Sequence, residues 1–219
     1  MTLAVERYEL GAIGTNCYVV RSERGAPEAV VVDPGDDAAS LRLELARMGA
    51  GCAGILITHG HWDHLGGVAD LAEGTGAPVY MSEVERVALE NPKELFPGVS
   101  IRPYTPDVLL KGDETFDLAG IAFETLLVPG HSPAHLAYHA DGCLFSGDVL
   151  FAGCGSRCIP CCRYARTIGA VPSGRRVSRR PARSSNVYIS FCTTSEPAPA
   201  VRLKSSVSSK PGVSIGRYP

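Results

Sequence analysis

With 219 residues the chain could form one large domain or two small ones, and its 45% hydrophobic and 20% charged residues exclude a disordered chain. The net charge of −2 hides two blocks: residues 1–153 carry 9 Lys/Arg and 22 Asp/Glu, whereas residues 154–219 carry 12 Lys/Arg and one acid, Glu196. No apolar run approaches the roughly 18 residues that mark a membrane span, and the N-terminus lacks a signal-peptide pattern, so a cytoplasmic protein without a membrane partner is expected.

In chain order, Cys17 to Val20 and Ala29 to Val32 are short apolar runs flanked by turn formers, and the second ends in Asp33-Pro34-Gly35. Asp36-Asp37 opens a helix whose apolar face is Leu41, Leu45 and Met48, and Gly49 closes it. Ala53 to Ile57 is the next strand. Leu65, Val68, Leu71 and Ala72 predict a helix behind it, and Pro78 to Met81 a further strand. Ser82 and Glu85 have capping-box spacing and predict another helix start. Pro92 to Pro106 reads as a long surface loop. Strands then dominate: Glu114 to Leu118, Ile121 to Val128, Leu136 to His139 and Leu144 to Ser146, with Asp117-Leu118-Ala119-Gly120 as a hairpin turn. The early alternation of strand and helix argues for parallel units, and the whole is a mixed α/β architecture with helices covering sheets.

The chemistry-bearing residues sit at strand ends. Thr58-His59-Gly60-His61-Trp62-Asp63-His64 follows the Ala53 to Ile57 run and holds three imidazoles and a carboxylate. His59 and His61 are two apart, a spacing that a helix would splay but a loop can converge on one ion; Asp63 and His64 could serve a second. Val128-Pro129-Gly130-His131 places a further imidazole on a turn after a strand, and Ser146-Gly147-Asp148 ends another strand in a carboxylate able to bridge two metals. His135 and His139 read as packing residues at the start and end of the following strand. An ordinary surface loop is the competing interpretation, but all six histidines fall at 59, 61, 64, 131, 135 and 139, which argues against chance.

Together these residues resemble the metallo-β-lactamase superfamily. His-x-His-x-Asp-His is its signature, and Asp33 in Asp-Pro-Gly, His131 in Pro-Gly-His and Asp148 in Ser-Gly-Asp match further motifs in order and spacing. Thr15-Asn16-Cys17-Tyr18 and Pro-Gly-His-Ser-Pro are most similar to the glyoxalase II-like hydrolases. The resemblance covers about residues 8–153 and implies an αββα sandwich with metals at the edge of its sheets. It implies His59, His61 and His131 as ligands of a first metal, Asp63 and His64 as ligands of a second, and Asp148 as the bridge. One or two zinc ions are expected, with iron or manganese as alternatives. The implied activity is hydrolysis of a thioester or small ester by metal-activated hydroxide, with Asp63 and Asp148 as catalytic carboxylates and no Ser or Cys nucleophile.

The pattern breaks near Gly153-Cys154. No histidine follows His139, so the late histidine that the family supplies to the second metal is missing. Of the 66 residues from Cys154 on, 12 are Ser and 10 are Arg. Residues 1–153 are therefore expected to form the metallo-β-lactamase-like domain, its C-terminal part incomplete. Residues 154–219 are expected to be a disordered tail or the frameshifted translation of a normal C-terminus. Cys17, Cys52 and Cys143 are isolated and read as buried reduced thiols, whereas Cys154, Cys158, Cys161, Cys162 and Cys192 all lie in the basic block.

Three alternatives follow from these departures. A persulfide dioxygenase-like enzyme would hold one iron on His59, His131 and Asp148. An inactive truncated fragment would leave core surface uncovered. A nucleic-acid-binding or nuclease-like member would use Arg175-Arg176 and Arg179-Arg180, or zinc on the C-x3-C-x2-C-C cluster; sparse aromatics in the tail count against nucleic acid as a partner. A β-lactamase is disfavoured by the N-terminus and the flanking motifs. The thiol carrier and the oligomeric state are not written in the sequence.

Overall fold

The structure is a computed structural model, and it describes residues 2–150 and 201–202. Expectations about the basic block, its cysteines and its arginines lie outside the described residues, apart from the short strand at 201–202.

A seven-stranded sheet forms from β1 (Ala4–Leu10), β2 (Thr15–Arg21), β3 (Glu28–Val32), β4 (Gly51–Leu56), β5 (Val79–Ser82), β6 (Val108–Leu110) and β11 (Val201–Arg202), in the order β11-β1-β2-β3-β4-β5-β6. The β3–β4–β5–β6 pairs are parallel, as the alternation of strand and helix predicts, whereas the β1–β2–β3 pairs are antiparallel, so the sheet is mixed. A second, antiparallel sheet orders β10 (Cys143–Phe145), β9 (Leu136–Ala140), β8 (Ile121–Leu127) and β7 (Thr115–Leu118).

Alternation along the strands divides the core into two layers. Cys17, Val19, Val31, Ile55 and Ile57 pack beneath α1 (Ala38–Met48) and α3 (Val68–Thr75). Their neighbours Tyr18, Val20, Val30, Val32 and Leu56 face Phe123, Leu136, Tyr138 and Phe145 of the second sheet. Strands β2 and β3 of the large sheet are thus buried on both faces, which is why they read as continuous apolar runs. Helices, large sheet and small sheet give three layers of the sandwich expected. A smaller cluster of Val128, Ala137, Leu144, Val149 and Leu150 marks the other side of the small sheet.

Helix α1 follows its sequence closely. Asp37 caps it by accepting from Ser40 N at 3.0 Å, Leu41 and Leu45 are buried, and Gly49 terminates it at φ 65°. The expected helix at Leu65 to Ala72 is instead two, α2 (Trp62–Leu65) and α3, broken at Gly66-Gly67. Close approach explains the break: a Cβ on Gly66 would lie 2.6 Å from Asp36 Oδ1, and Gly67 N donates to Gly35 O at 2.5 Å.

Two further expectations are corrected. Ser82 and Glu85 do not form a capping box: Ser82 ends β5, and α4 (Val87–Glu90) starts at Arg86 with no side-chain cap. The Glu85 carboxylate is drawn away to more distant partners. Pro92 to Pro106 is not a plain surface loop either, because α5 (Pro92–Leu95) opens it, Ile101 is buried in the core, and Tyr104 N donates to Leu89 O at 3.1 Å. The hairpin expected at residues 117–120 is present, with Leu118 opposite Ile121. Cys17 and Cys143 are buried and Cys52 half-buried, all as free thiols. Among the described residues no helix is long and apolar enough to cross a membrane.

Candidate metal centre

Four chain segments leave their strands towards one edge of the sandwich. After β3 comes Asp33, after β4 Thr58 to His64, after β8 His131 and after β10 Asp148. The carboxyl ends of adjacent strands are the usual place for a ligand site in such sheets. Hydrogen bonds to backbone carbonyls lock the segments together. Asp33 N donates to Leu56 O at 3.0 Å, Leu136 N to Thr58 O at 2.8 Å, and the Tyr138 hydroxyl to Ile57 O at 2.8 Å.

Six sequence-predicted residues meet here. Ligand nitrogens of His59, His61 and His131 all lie within 4.8 Å of one another, and so do ligand atoms of His59, His64 and Asp148. His131 Nε2 is 2.9 Å from His61 Nδ1. Asp148 spans both groups: Oδ1 is 3.6 Å from His64 Nε2, and Oδ2 is 3.5 Å from His131 Nε2. Asp63 stands beside the second group, with Oδ2 3.3 Å from His64 Nε2 and held there by a 2.7 Å bond from the Thr15 hydroxyl. Burial is graded from His59, fully buried, through His61 to His131, which is exposed, so the cluster opens to solvent on the His131 side.

These side chains fit a metal. His59 Nε2 is buried with no hydrogen-bond partner, although a buried polar atom normally has one. Burial, followed by repulsion from His64, His135, His61 and His131, pushes the His59 pKa far down, and burial with His131 lowers that of His61. Both are thus neutral imidazoles at pH 7, the form that binds metals. His64 differs. Burial opposes its charge, but Asp33, Asp148 and Asp63 outweigh that and raise its pKa to about 10, so a metal bound at His64 would have to displace a proton. Imidazole with carboxylate is a donor set suited to zinc, and to iron or manganese.

Around the cluster lie residues whose sequence signals were weak or misleading. Asp33, at φ 51°, accepts from Thr58 N at 2.9 Å and Thr58 Oγ1 at 2.8 Å, and sits 3.1 Å from His64 Nδ1. Glu85 is buried and accepts from Gly60 N at 2.5 Å, Ser132 Oγ at 2.5 Å and Ala134 N at 2.7 Å. His135 is buried against His59, ring centroids 4.5 Å apart, and its Nε2 is 2.9 Å from Ser146 O. His139 is half-exposed, 3.5 Å from Glu124. Asp33 lay in a motif that pointed to the site, whereas the spacing of Glu85 from Ser82 pointed to a local cap.

Comparison with known proteins agrees with this geometry. The Metallo-beta-lactamase superfamily profile matches residues 10–190. The chain is 30% identical over 153 residues to the probable metallo-hydrolase YqgX of Bacillus subtilis, covering 67% of this chain and 71% of that one. It is 42% identical over 130 residues to the hydroxyacylglutathione hydrolase of Methylobacillus flagellatus, covering 58% of this chain and 45% of that enzyme. The chain spans about half the length of the hydroxyacylglutathione hydrolases it matches. Among solved structures, TTHA1623 in a di-iron-bound form superposes with a TM-score of 0.61 at 30% identity, over 76% of this chain and 86% of that one. The chain belongs to the metallo-beta-lactamase superfamily.

Proposed function

We propose that the protein hydrolyses an acyl thioester of a small thiol, in the manner of glyoxalase II, with zinc as its metal. The observation that carries this reading is the convergence of His59, His61, His64, His131 and Asp148 at one sheet edge, around an unpartnered buried nitrogen of His59. The hydroxyacylglutathione hydrolases among the relatives, at 35–43% identity, support the thioester class.

In this reading His59, His61 and His131 would hold one ion, Asp63 and His64 would hold a second, and Asp148 would serve both. A bound zinc would acidify a water to a pKa near 7 and polarise the carbonyl of the substrate. The chain's own contribution is placement. Thr15 fixes the carboxylate of Asp63. The two oxygens of Asp148 face different histidines, which is what a bridging carboxylate requires. The open His131 side admits the acyl group, and the buried His59 side excludes water. No serine or cysteine nucleophile has a role.

Metal content and turnover of the purified chain test this. Zinc bound by the parent and lost in His59→Ala is expected, with hydrolysis of a hydroxyacyl thioester of glutathione that a chelator abolishes and zinc restores. A parallel series with other thiols would identify the carrier. Oxygen uptake with bound iron and no thioester hydrolysis would overturn the reading.

A further inference from the structure

One buried carboxylate outside the ligand set touches both halves of the cluster. Glu85 lies in the β5–α4 connection, with the residue only 7% exposed. Oε2 accepts from the backbone N–H of Gly60, the residue between His59 and His61. Oε1 accepts from the Ser132 hydroxyl, next to His131, and from the Ala134 N–H, next to His135. These donors belong to loops about 70 residues apart in sequence. The helix behind is equally close: a Cβ on Gly60 would lie 2.9 Å from Ala88 Cβ and 3.1 Å from Glu85 Oε2.

We propose that Glu85 is a positioning residue that sets metal affinity by holding the His59–His61 loop and the His131 loop in register. The proposal rests on the metal-binding reading above. Its physical basis is a charge-assisted clamp: a carboxylate accepting three donors is strong and directional, and each oxygen fixes a different loop. Neither loop can drift without breaking a bond to buried carboxylate oxygen, which is costly. The rings of His61 and His131, whose nitrogens meet at 2.9 Å, depend on that register. A glutamine cannot replace the glutamate. Its amide group would turn an N–H donor towards either the Gly60 N–H or the Ala134 N–H, so one loop always meets a mismatch.

The test uses the full chain, its Glu85→Gln and Ser132→Ala variants, and His59→Ala as the ligand control. Zinc affinity is read by competition with a chromophoric chelator, cobalt(II) substitution by its visible absorption, and stability by thermal unfolding of the metal-free protein. Glu85→Gln is expected to bind zinc about 10- to 100-fold more weakly, the range found when groups that orient ligands are removed. Its cobalt band should shift, reporting altered ligand geometry. Ser132→Ala, which keeps two of the three bonds, should lose affinity in the same direction but less, and it decides the matter if Glu85→Gln does not fold. Parent-like zinc affinity and cobalt spectrum in Ser132→Ala and Glu85→Gln, with only the metal-free melting temperature lowered, would overturn the clamp and leave the metal site standing. A parent chain that binds zinc no better than His59→Ala would overturn the metal reading, and the clamp with it.

Discussion

At the residue scale, the site depends on small and strained positions as much as on its histidines and carboxylates. Gly147 has φ 49°, and a Cβ there would collide with Thr58 Oγ1 and lie 2.8 Å from His135 Nε2. Both neighbours are buried and tied, Thr58 to Asp33 and His135 to Ser146 O, so neither can give way cheaply. Gly147→Ala is therefore expected to cost about 1–3 kcal/mol, the range for overpacking and for a left-handed non-glycine residue. Denaturant unfolding of the metal-free protein measures it, and a change below 0.5 kcal/mol, the scale of neutral surface substitutions, would show that the Thr58–His135 packing is soft. The same scale explains what sequence could and could not disclose. The convergence of His59, His61, His64, His131 and Asp148 was legible because side chains suited to metals are chemically distinctive and here cluster at strand ends. Glu85 was not: its spacing from Ser82 suggests a local cap, while its partners Gly60 and Ser132 are 25 and 47 residues away. Local spacing carries no information about such contacts.

At the element scale, the β7–β8 hairpin is a test of turn chemistry. Ala119 and Gly120 join Leu118 to Ile121 with φ values of 55° and 69°, the signs of a type I′ turn. Gly120 suits that conformation, but Ala119 pays a left-handed penalty of about 1 kcal/mol. Ala119→Asn should relieve most of it and raise the thermal midpoint, since Asn-Gly is the preferred pair for this turn. An unchanged or lower midpoint would refute the assignment. Glu114, just before β7, is an acid-sensitive point of this sheet. Burial tends to raise its pKa, but bonds from Lys111 N, Gly112 N and the Thr125 hydroxyl prevail and bring it from 4.5 to about 2. The folded state thus keeps Glu114 charged while the unfolded state takes up a proton, so its contribution is complete above pH 4.5 and is lost as pH falls towards 2. Glu114→Gln should be less stable than the parent at pH 7, with the gap closing below pH 4.5; a gap constant with pH would rule out the charged carboxylate as the source. Elements themselves were legible where the pattern was strong, as in α1 and the strands buried on both faces. Strand β1 was not recognised, because Ala4 to Arg7 are only half-buried and Val-Glu-Arg-Tyr-Glu lacks a clean apolar alternation. The break between α2 and α3 was hidden because it arises from Asp36 and Gly35 pressing on Gly66 and Gly67.

At the scale of the whole molecule, the cluster couples both sheets, so metal should act on global stability. His59 and His64 hang from the large sheet, His131 and Asp148 from the small one, and Tyr138 with Leu136 binds the sheets through Ile57 and Thr58. An ion held by residues of both sheets binds the folded state and not the separated chain segments. Linkage then adds RT ln(1 + [L]/Kd), about 2.7 kcal/mol when free zinc stands at 100 times Kd. For a chain of this size 1 kcal/mol moves the midpoint by about 2–4 °C, so zinc should raise it by about 5–11 °C. His59→Ala should abolish the rise, because His59 belongs to both groups of ligand atoms and loses a nitrogen from each. Asp148→Ala should reduce it less, since His59, His61 and His131 still converge without that carboxylate. Thermal unfolding of the parent and the two variants, with zinc and with chelator, makes the comparison. Equal shifts in all three chains would place zinc elsewhere and separate this cluster from the stability of the fold.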